Sequence, residues 1–179
     1  DAVGGGNNKP RLIFTSAGTS ALYVTGNHIN FGALNFWIVF KFPSTSPDDW
    51  VFSQSTTAGN GTRFGVYVSG SNILTVYIGS TQITMPAIDN NWNVLKITHI
   101  GSACVAKLNN STPVTATRAL TGYAADASTS IGAFRAIADG ALTKHSNVEI
   151  GKIIVTNIDN TGTLASNVDE NLRLEYNLY

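Results

Sequence analysis

The sequence is poor in cysteine and in charge. Cys104 is the only cysteine, so an internal disulfide bond is excluded and stability has to come from a packed core. Charged residues make up 12% of the 179 residues, against roughly 25% in typical globular domains, and eleven basic residues balance eleven acidic ones. Nucleic acids and anionic membrane surfaces bind proteins with an excess of basic charge, so the composition argues against both as partners.

Long hydrophobic runs are also missing. No apolar segment approaches the roughly 18 residues that cross a membrane, so we expect no membrane insertion.

Residues 1–8 contain Gly4-Gly5-Gly6 and are predicted to be a flexible lead-in or linker, ahead of a single domain over 9–179. Asn, Thr, Ser and Gly are abundant throughout the sequence, a composition common in secreted, cell-surface and virion proteins. We therefore predict an extracellular or virion-surface location.

Histidine clusters and nucleophile motifs are absent from the sequence. His28, His99 and His145 are scattered, and their spacing does not suit a zinc site. There is no Gly-x-Ser-x-Gly sequence, and the glycine run near the N-terminus lacks the Lys-Ser/Thr of a phosphate-binding loop. Nucleophilic and nucleotide chemistry are therefore unsupported.

The most informative segment that is present runs from Asn90 to Asn110. It alternates with a period of two: Leu95 and Ile97 point to one side, and the other side carries Trp92, Val94, Lys96, Thr98 and Ile100. A turn at Gly101-Ser102 leads into a second strand that contains Cys104. We expect an antiparallel hairpin whose apolar side packs on a second sheet, with the Cys104 thiol buried and inert.

Further strand signals are spread along the whole chain. We predict strands over 11–14, 21–24, 28–31, 34–42, 50–53, 63–68, 73–78, 81–87, 129–134 and 149–157, with 21–24 and 28–31 forming a hairpin. The segment 34–42 is apolar on both faces, as expected of a strand that is covered on both sides. Short strands separated by turns at intervals of roughly 8–12 residues predict an all-β, antiparallel two-sheet sandwich of the jelly-roll type.

A helix signal is present only near the C-terminus. Asn167 followed by Glu170 has the spacing of a capping box. The predicted apolar stripe consists of Val168, Leu172, Tyr176 and Tyr179. We therefore expect a short C-terminal helix that begins at Asn167.

Several segments resemble the laminin-G-like branch of the concanavalin A-like lectin/glucanase superfamily. The hairpin 22–31, the Trp-containing strand 35–38 and the Trp-led hairpin 91–109 occur in that family's order, followed by 131–132, 151–157 and 164–179. The pattern departs from the family at Asn110, where a glycine is usual, and after Gly151, where the predicted strand is shorter. The resemblance implies a jelly roll whose relatives mostly bind glycans or proteins, while some are hydrolases.

A retaining glycosidase of that superfamily uses two carboxylates roughly 5 Å apart, commonly on a strand that reads Glu-x-Asp-x-x-Glu. No such strand occurs here, and among the acidic residues only Glu149 touches a predicted strand. We therefore predict that the protein is not an enzyme. A glycoside hydrolase or lyase with an unrecognised catalytic pair is the third-ranked hypothesis.

Glycan binding needs aromatic rings that stack on the apolar face of a sugar, beside amides or charged groups that bond its hydroxyls. Outward positions of the predicted strands supply such side chains on what we expect to be a shared outer surface, and a tryptophan at a loop-to-strand junction is a separate stacking candidate. The candidate carbohydrate-binding residues are Trp50, Arg63, Tyr67, Tyr77, Lys96 and Lys107. Each of them also fits a plain solvent-facing sheet or, for Trp50, a core position.

No motif requires a cofactor, but calcium is a candidate because its oxygen ligands can come from separate loops. The candidate calcium ligands are Asp48, Asp49, Asn60 and Asp139. The alternative is that these are solvated turn residues, and no EF-hand pattern is present.

The leading functional hypothesis is a non-catalytic, lectin-like module that attaches an extracellular or virion-appendage protein to surface glycans or to a cell-surface receptor. The second is a structural or assembly module, such as a capsid or tail decoration domain, that packs against copies of itself or a neighbouring structural protein. An exposed apolar patch would favour assembly, and an exposed aromatic residue beside amides would favour glycan binding.

Overall fold

The computed structural model describes residues 10–15, 17, 21–25, 33–43, 49–55, 64–118, 128–135, 142–143, 145–157 and 162–178. In chain order the strands are β1 (Leu12–Phe14), β2 (Leu22–Thr25), β3 (Ala33–Lys41), β4 (Asp49–Ser55), β5 (Phe64–Val68), β6 (Ile73–Ile78), β7 (Thr81–Ala87), β8 (Asn93–Ile100), β9 (Ala103–Leu108), β10 (Val114–Thr117), β11 (Ser128–Ile131), β12 (Phe134–Arg135), β13 (Leu142–Thr143) and β14 (Val148–Asn157). One helix, α1, spans Thr163–Tyr176.

The strands form two six-stranded antiparallel sheets and one small hairpin. Sheet A has the order β1-β14-β3-β8-β9-β10, and sheet B has the order β2-β11-β4-β5-β6-β7. The strands β12 and β13 pair with each other. The inner faces of both sheets contribute to one apolar core, which includes Phe36 of sheet A and Phe52 and Phe64 of sheet B. The predicted antiparallel two-sheet sandwich is confirmed.

The central strand β3 is buried on both of its faces. Phe36, Ile38 and Phe40 enter the core between the sheets. Trp37 and Val39 point to the other side, where they pack against residues of α1. The prediction of a strand covered on both sides is therefore confirmed, and the covering element is the C-terminal helix.

The hairpin of β8 and β9 also has the predicted form. Leu95 and Ile97 lie in the core, whereas Val94 packs under α1 on the outer face of sheet A. Gly101 makes the turn with φ +60°, a backbone conformation that glycine adopts without strain. Cys104 is buried on the inner face, as predicted.

The start of the helix differs from the prediction. The helix begins at Thr163 with Gly162 as the N-cap residue and no side-chain cap, so Asn167 lies inside it. Glu170 binds Arg173 instead of capping the helix. Helix formation is stabilised here by burial of Ala165, Leu172 and Tyr176 against sheet A, which outweighs a local capping signal.

Two further segments differ from the predictions. The strand predicted over 129–134 is interrupted between β11 and β12, where Gly132 has φ +77° and lies directly under the ring of Phe14. The short edge strand β10 was not predicted, although it pairs with β9 along its whole length. The strand β2 is present and pairs with β11, but its predicted hairpin partner 28–31 and the lead-in 1–8 lie outside the described residues.

Two buried titratable groups, the Cys104 thiol and the Tyr176 hydroxyl, make stability depend on pH. Burial raises the pKa of Cys104 from its ordinary 9.0 to about 12, and burial together with the Glu175 charge raises the pKa of Tyr176 from 10.0 to about 12. The folded protein therefore keeps both protons to higher pH than the unfolded chain does. We expect the free energy of unfolding to fall as pH rises from about 9 to 12.

Urea denaturation across this pH range tests the prediction. The double variant Cys104→Ala/Tyr176→Phe lacks both titratable groups. Its free energy of unfolding should therefore fall less steeply with pH than that of the wild-type chain. A decline of equal steepness in the two proteins would contradict it.

Candidate functional site

Three aromatic side chains lie together on the outer face of sheet B. The ring of Trp50 on β4 stacks on Tyr77 of β6, with centroids 5.3 Å apart and an angle of 29° between the planes. Tyr67 on β5 contacts both partners, with its ring centroid 5.4 Å from that of Trp50 and 6.2 Å from that of Tyr77. We call this set the aromatic cluster. Each of its members is a predicted carbohydrate-binding residue.

A backbone irregularity and a glycine make room for Trp50. The register of β4 shifts between Trp50 and Phe52, so Phe52 enters the core while Trp50 lies on the outer face opposite Tyr67. Gly65 lies beneath the indole ring, and a Cβ atom added there would be 2.5 Å from Trp50 Cζ3. Only a residue without a side chain lets the ring approach the sheet this closely.

The side of the cluster towards β11 is closed. Ser53 and Ser130 share the outer face with Gly65, and their hydroxyl oxygens are 2.8 Å apart and fully buried. The Ser146 hydroxyl donates a hydrogen bond to the Trp50 carbonyl oxygen at 3.1 Å, which anchors the backbone at the register shift. Trp50 is itself only 5% exposed. It therefore supports the cluster from beneath rather than offering an open stacking surface.

The side of the cluster towards β7 is open. Tyr67 and Tyr77 are both partly exposed. Gln82 on the edge strand β7 lies directly opposite Tyr77 and is exposed, and Thr84 two residues further along the same face is exposed as well. This part of sheet B thus presents two tyrosine rings beside a carboxamide and a hydroxyl, which both donate and accept hydrogen bonds.

The two predicted lysines lie on the other sheet. Lys96 on β8 and Lys107 on β9 face each other on the outer side of sheet A. The Lys96 ammonium donates to Asp169 of α1 at 2.7 Å and lies 5.3 Å from the centroid of the Trp37 ring. The Lys96–Asp169 ion pair therefore stabilises the packing of α1 on sheet A. The expectation that both lysines share an outer surface with the aromatic cluster is wrong.

Of the four candidate calcium ligands, Asp49 belongs to the described residues. Asp48, Asn60 and Asp139 lie outside the described residues, as does the carbohydrate-binding candidate Arg63. Asp49 is the first residue of β4, pairs with Val68 and is 1% exposed. Among the described residues, no group of three or more His, Cys, Asp or Glu side chains is arranged to hold a metal ion.

The described carboxylates are mostly engaged in ion pairs on sheet A and the helix. Glu149 binds Arg11 at 3.0 Å, Asp169 binds Lys96 at 2.7 Å, Glu175 binds Lys152 at 2.5 Å and Glu170 binds Arg173 at 2.7 Å. Asp89 accepts hydrogen bonds from the backbone and side chain of Asn91. Asp169 and Glu175 thus join α1 to sheet A, and Asp89 stabilises a turn.

Sequence reasoning missed two residues of this site, Gly65 and Gln82. A glycine inside a strongly alternating strand indicates a close approach by another group, and Gly65 carried that signal. The role of Gln82 can be seen only from strand pairing, since its position beside Tyr77 depends on how β6 and β7 are aligned.

In the described part of the chain, no helix is long and apolar enough to span a membrane.

Comparison with known proteins identifies the fold. Neither a protein-family model nor a curated protein matches the sequence. Among similar solved structures, a native heptameric SAP-like pentraxin from Limulus polyphemus is 17% identical, with a TM-score of 0.54 over 82% of this chain and 69% of the pentraxin. Domains LG4-5 of the mouse laminin α1 chain are 16% identical, with a TM-score of 0.56 over 77% of this chain and 39% of that one.

A carbohydrate-binding module is also similar in structure. The CBM40 module of the Ruminococcus gnavus IT-sialidase is 12% identical, with a TM-score of 0.60 over 87% of this chain and 98% of the module. At such identities the similarity shows the fold and nothing finer. This chain has the concanavalin A-like jelly-roll fold that the pentraxin, the laminin domains and the module share.

Proposed function

We propose that this chain is a non-catalytic, lectin-like recognition module that binds glycans on an extracellular or virion surface. The observation that carries the proposal is the aromatic cluster, in which partly exposed Tyr67 and Tyr77 lie beside the exposed carboxamide of Gln82. Sugars bind to proteins through such pairs of contacts, since the ring stacks on apolar C–H groups while the amide bonds the hydroxyls.

The structural neighbours support the glycan-binding part of the proposal. The CBM40 module of the R. gnavus IT-sialidase has been solved with α2,3 sialyllactose bound. The described carboxylates support the non-catalytic part, because Glu149, Asp169, Glu170 and Glu175 are each paired with a cation. These four carboxylates lie on sheet A or α1, on the other side of the core from the aromatic cluster, whereas Asp49 on β4 of sheet B is buried. The hydrolase or lyase hypothesis would need a carboxylate pair from the rest of the chain.

A glycan-array screen of the purified chain tests the proposal. It is run with calcium and again with a chelator, so that the candidate role of calcium is tested in the same experiment. The ligand found is then titrated against Tyr67→Ala and Tyr77→Ala. We expect each variant to bind about tenfold more weakly, because each loses a stacking contact of about 1.4 kcal/mol.

Tyr23→Ala is the matched control. Tyr23 is 56% exposed on β2 and shares the outer face of sheet B, but it lies beyond the closed side of the aromatic cluster. This variant should bind like the wild-type chain. Equal losses of glycan affinity in all three tyrosine variants would contradict the assignment of the site. The same holds if no glycan binds with calcium or with the chelator.

A second candidate function, assembly with copies of itself or a neighbouring protein, is supported by the opposite edge of the sandwich. Leu12 and Ile13 on β1 and Leu22 on β2 are each about half exposed. Leu12 also lines a cavity of about 430 Å³, together with Arg11, Lys152 and apolar residues of β11 and β14. Sedimentation equilibrium tests this alternative by measuring the oligomeric state. A stable oligomer of the wild-type chain that is lost in the Leu12→Ser/Leu22→Ser variant would favour assembly through this edge.

A further inference from the structure

We infer that the ligand of the aromatic cluster is a neutral glycan, without carboxylate or sulfate groups. This inference rests on the proposed function and names the ligand class of the same site. It starts from the composition of the open face. Residues 64–87, which form β5, β6, β7 and the turns between them, contain no acidic or basic side chain.

Among the side chains that the structure describes, positive charge is concentrated on sheet A and the helix. Every lysine or arginine whose side chain the structure describes belongs to a strand of sheet A, directly adjoins one, or lies on α1: Arg11, Lys41, Lys96, Lys107, Arg118, Lys152 and Arg173. Four of these seven are already paired with carboxylates. Lys96, Lys107, Lys152 and Arg173 lie on the outer face of sheet A or on α1, so the core separates them from the aromatic cluster.

The polar groups beside the tyrosines suit uncharged hydroxyls. The Gln82 carboxamide and the hydroxyls of Thr84, Tyr67 and Tyr77 each both donate and accept hydrogen bonds, as sugar hydroxyls do. A carboxylate or sulfate only accepts, and it loses hydration when it is pressed against aromatic rings. Without a cation to replace that hydration, an anionic sugar binds more weakly than its neutral counterpart.

Matched pairs of glycans provide the test. Lactose and N-acetyllactosamine are compared with their sialylated and sulfated forms by calorimetry at low and high salt, alongside an array that contains other neutral and acidic pairs. We expect neutral members to bind, their acidic counterparts to bind about tenfold more weakly or not at all, and the affinity for the neutral members to be insensitive to salt.

Each other outcome has a defined meaning. Preference for acidic members, with an affinity that falls as salt rises, would overturn the neutral class while leaving the proposed glycan binding intact. Arg63→Gln then reports whether the residue that precedes β5 supplies the cation. Binding to no member of any pair would overturn the proposed function, and the neutral class with it.

Discussion

Gly65→Ala is expected to weaken glycan binding about tenfold although the added group is a single methyl. The new Cβ would be 2.5 Å from Trp50 Cζ3 and 3.3 Å from Cε3, so the indole ring has to lift from the sheet. Trp50 stacks on Tyr77 and contacts Tyr67, and its displacement moves both rings that we propose to face the sugar. Overpacking of this kind also costs about 1–3 kcal/mol of stability.

Gly151→Ala is a matched control for this variant. Gly151 on β14 lies under the ring of Tyr176 in the same way that Gly65 lies under Trp50, but on sheet A. The variant should lose stability through the docking of α1 and retain its glycan affinity. Calorimetry measures affinity, and urea denaturation measures stability. If both glycine variants lose the same affinity, the effect of Gly65→Ala reflects stability and not the geometry of the aromatic cluster.

Asp169→Ala is expected to lower the free energy of unfolding by about 2 kcal/mol. The Asp169 carboxylate accepts a hydrogen bond from Trp37 Nε1 at 2.6 Å and another from the Lys96 ammonium at 2.7 Å. Its removal leaves the indole N–H and a partly buried ammonium beneath α1 without their acceptor. The loss of two charge-assisted hydrogen bonds outweighs the small gain in helix propensity that alanine brings.

Glu170→Ala shows whether this effect depends on the contacts or on acidity at this point of the helix. Glu170 is exposed, and among the described residues it pairs with Arg173, three residues further along α1. Exposed pairs of this type contribute little to stability, so this variant should unfold at nearly the same urea concentration as the wild-type chain. Similar losses in the two variants would argue that α1 is stabilised by its overall charge and not by the Trp37–Asp169–Lys96 contacts.

Local alternation was sufficient to locate most strands. The strands β6 and β7 have the predicted bounds, and β5 differs by one residue at its start. Such strands have one face in the core and one outside, so the pattern of apolar residues is visible within six or seven neighbours. The helix shows the opposite case. Its start at Thr163 depends on contacts with Trp37 and Val39, which lie more than a hundred residues away.

The candidate site was only partly predictable. Tyr67 and Tyr77 were assigned to the outer side of their strands from alternation, and the structure places both there. The orientation of Trp50 depends on the register shift in β4, which no local pattern indicates. The depth at which its ring lies depends on Gly65, whose role becomes clear only when β4 and β5 are paired.

The sequence alone was enough to predict an all-β sandwich with a C-terminal helix, because strand periodicity, turn residues and an apolar helix stripe are local properties. It also showed that residues 64–87 carry no charge. Which strands share a sheet is decided by pairing between distant segments, and alternation within one strand contains no information about its neighbours. Only the tertiary structure therefore separated Lys96 and Lys107 on sheet A from the aromatic cluster on sheet B.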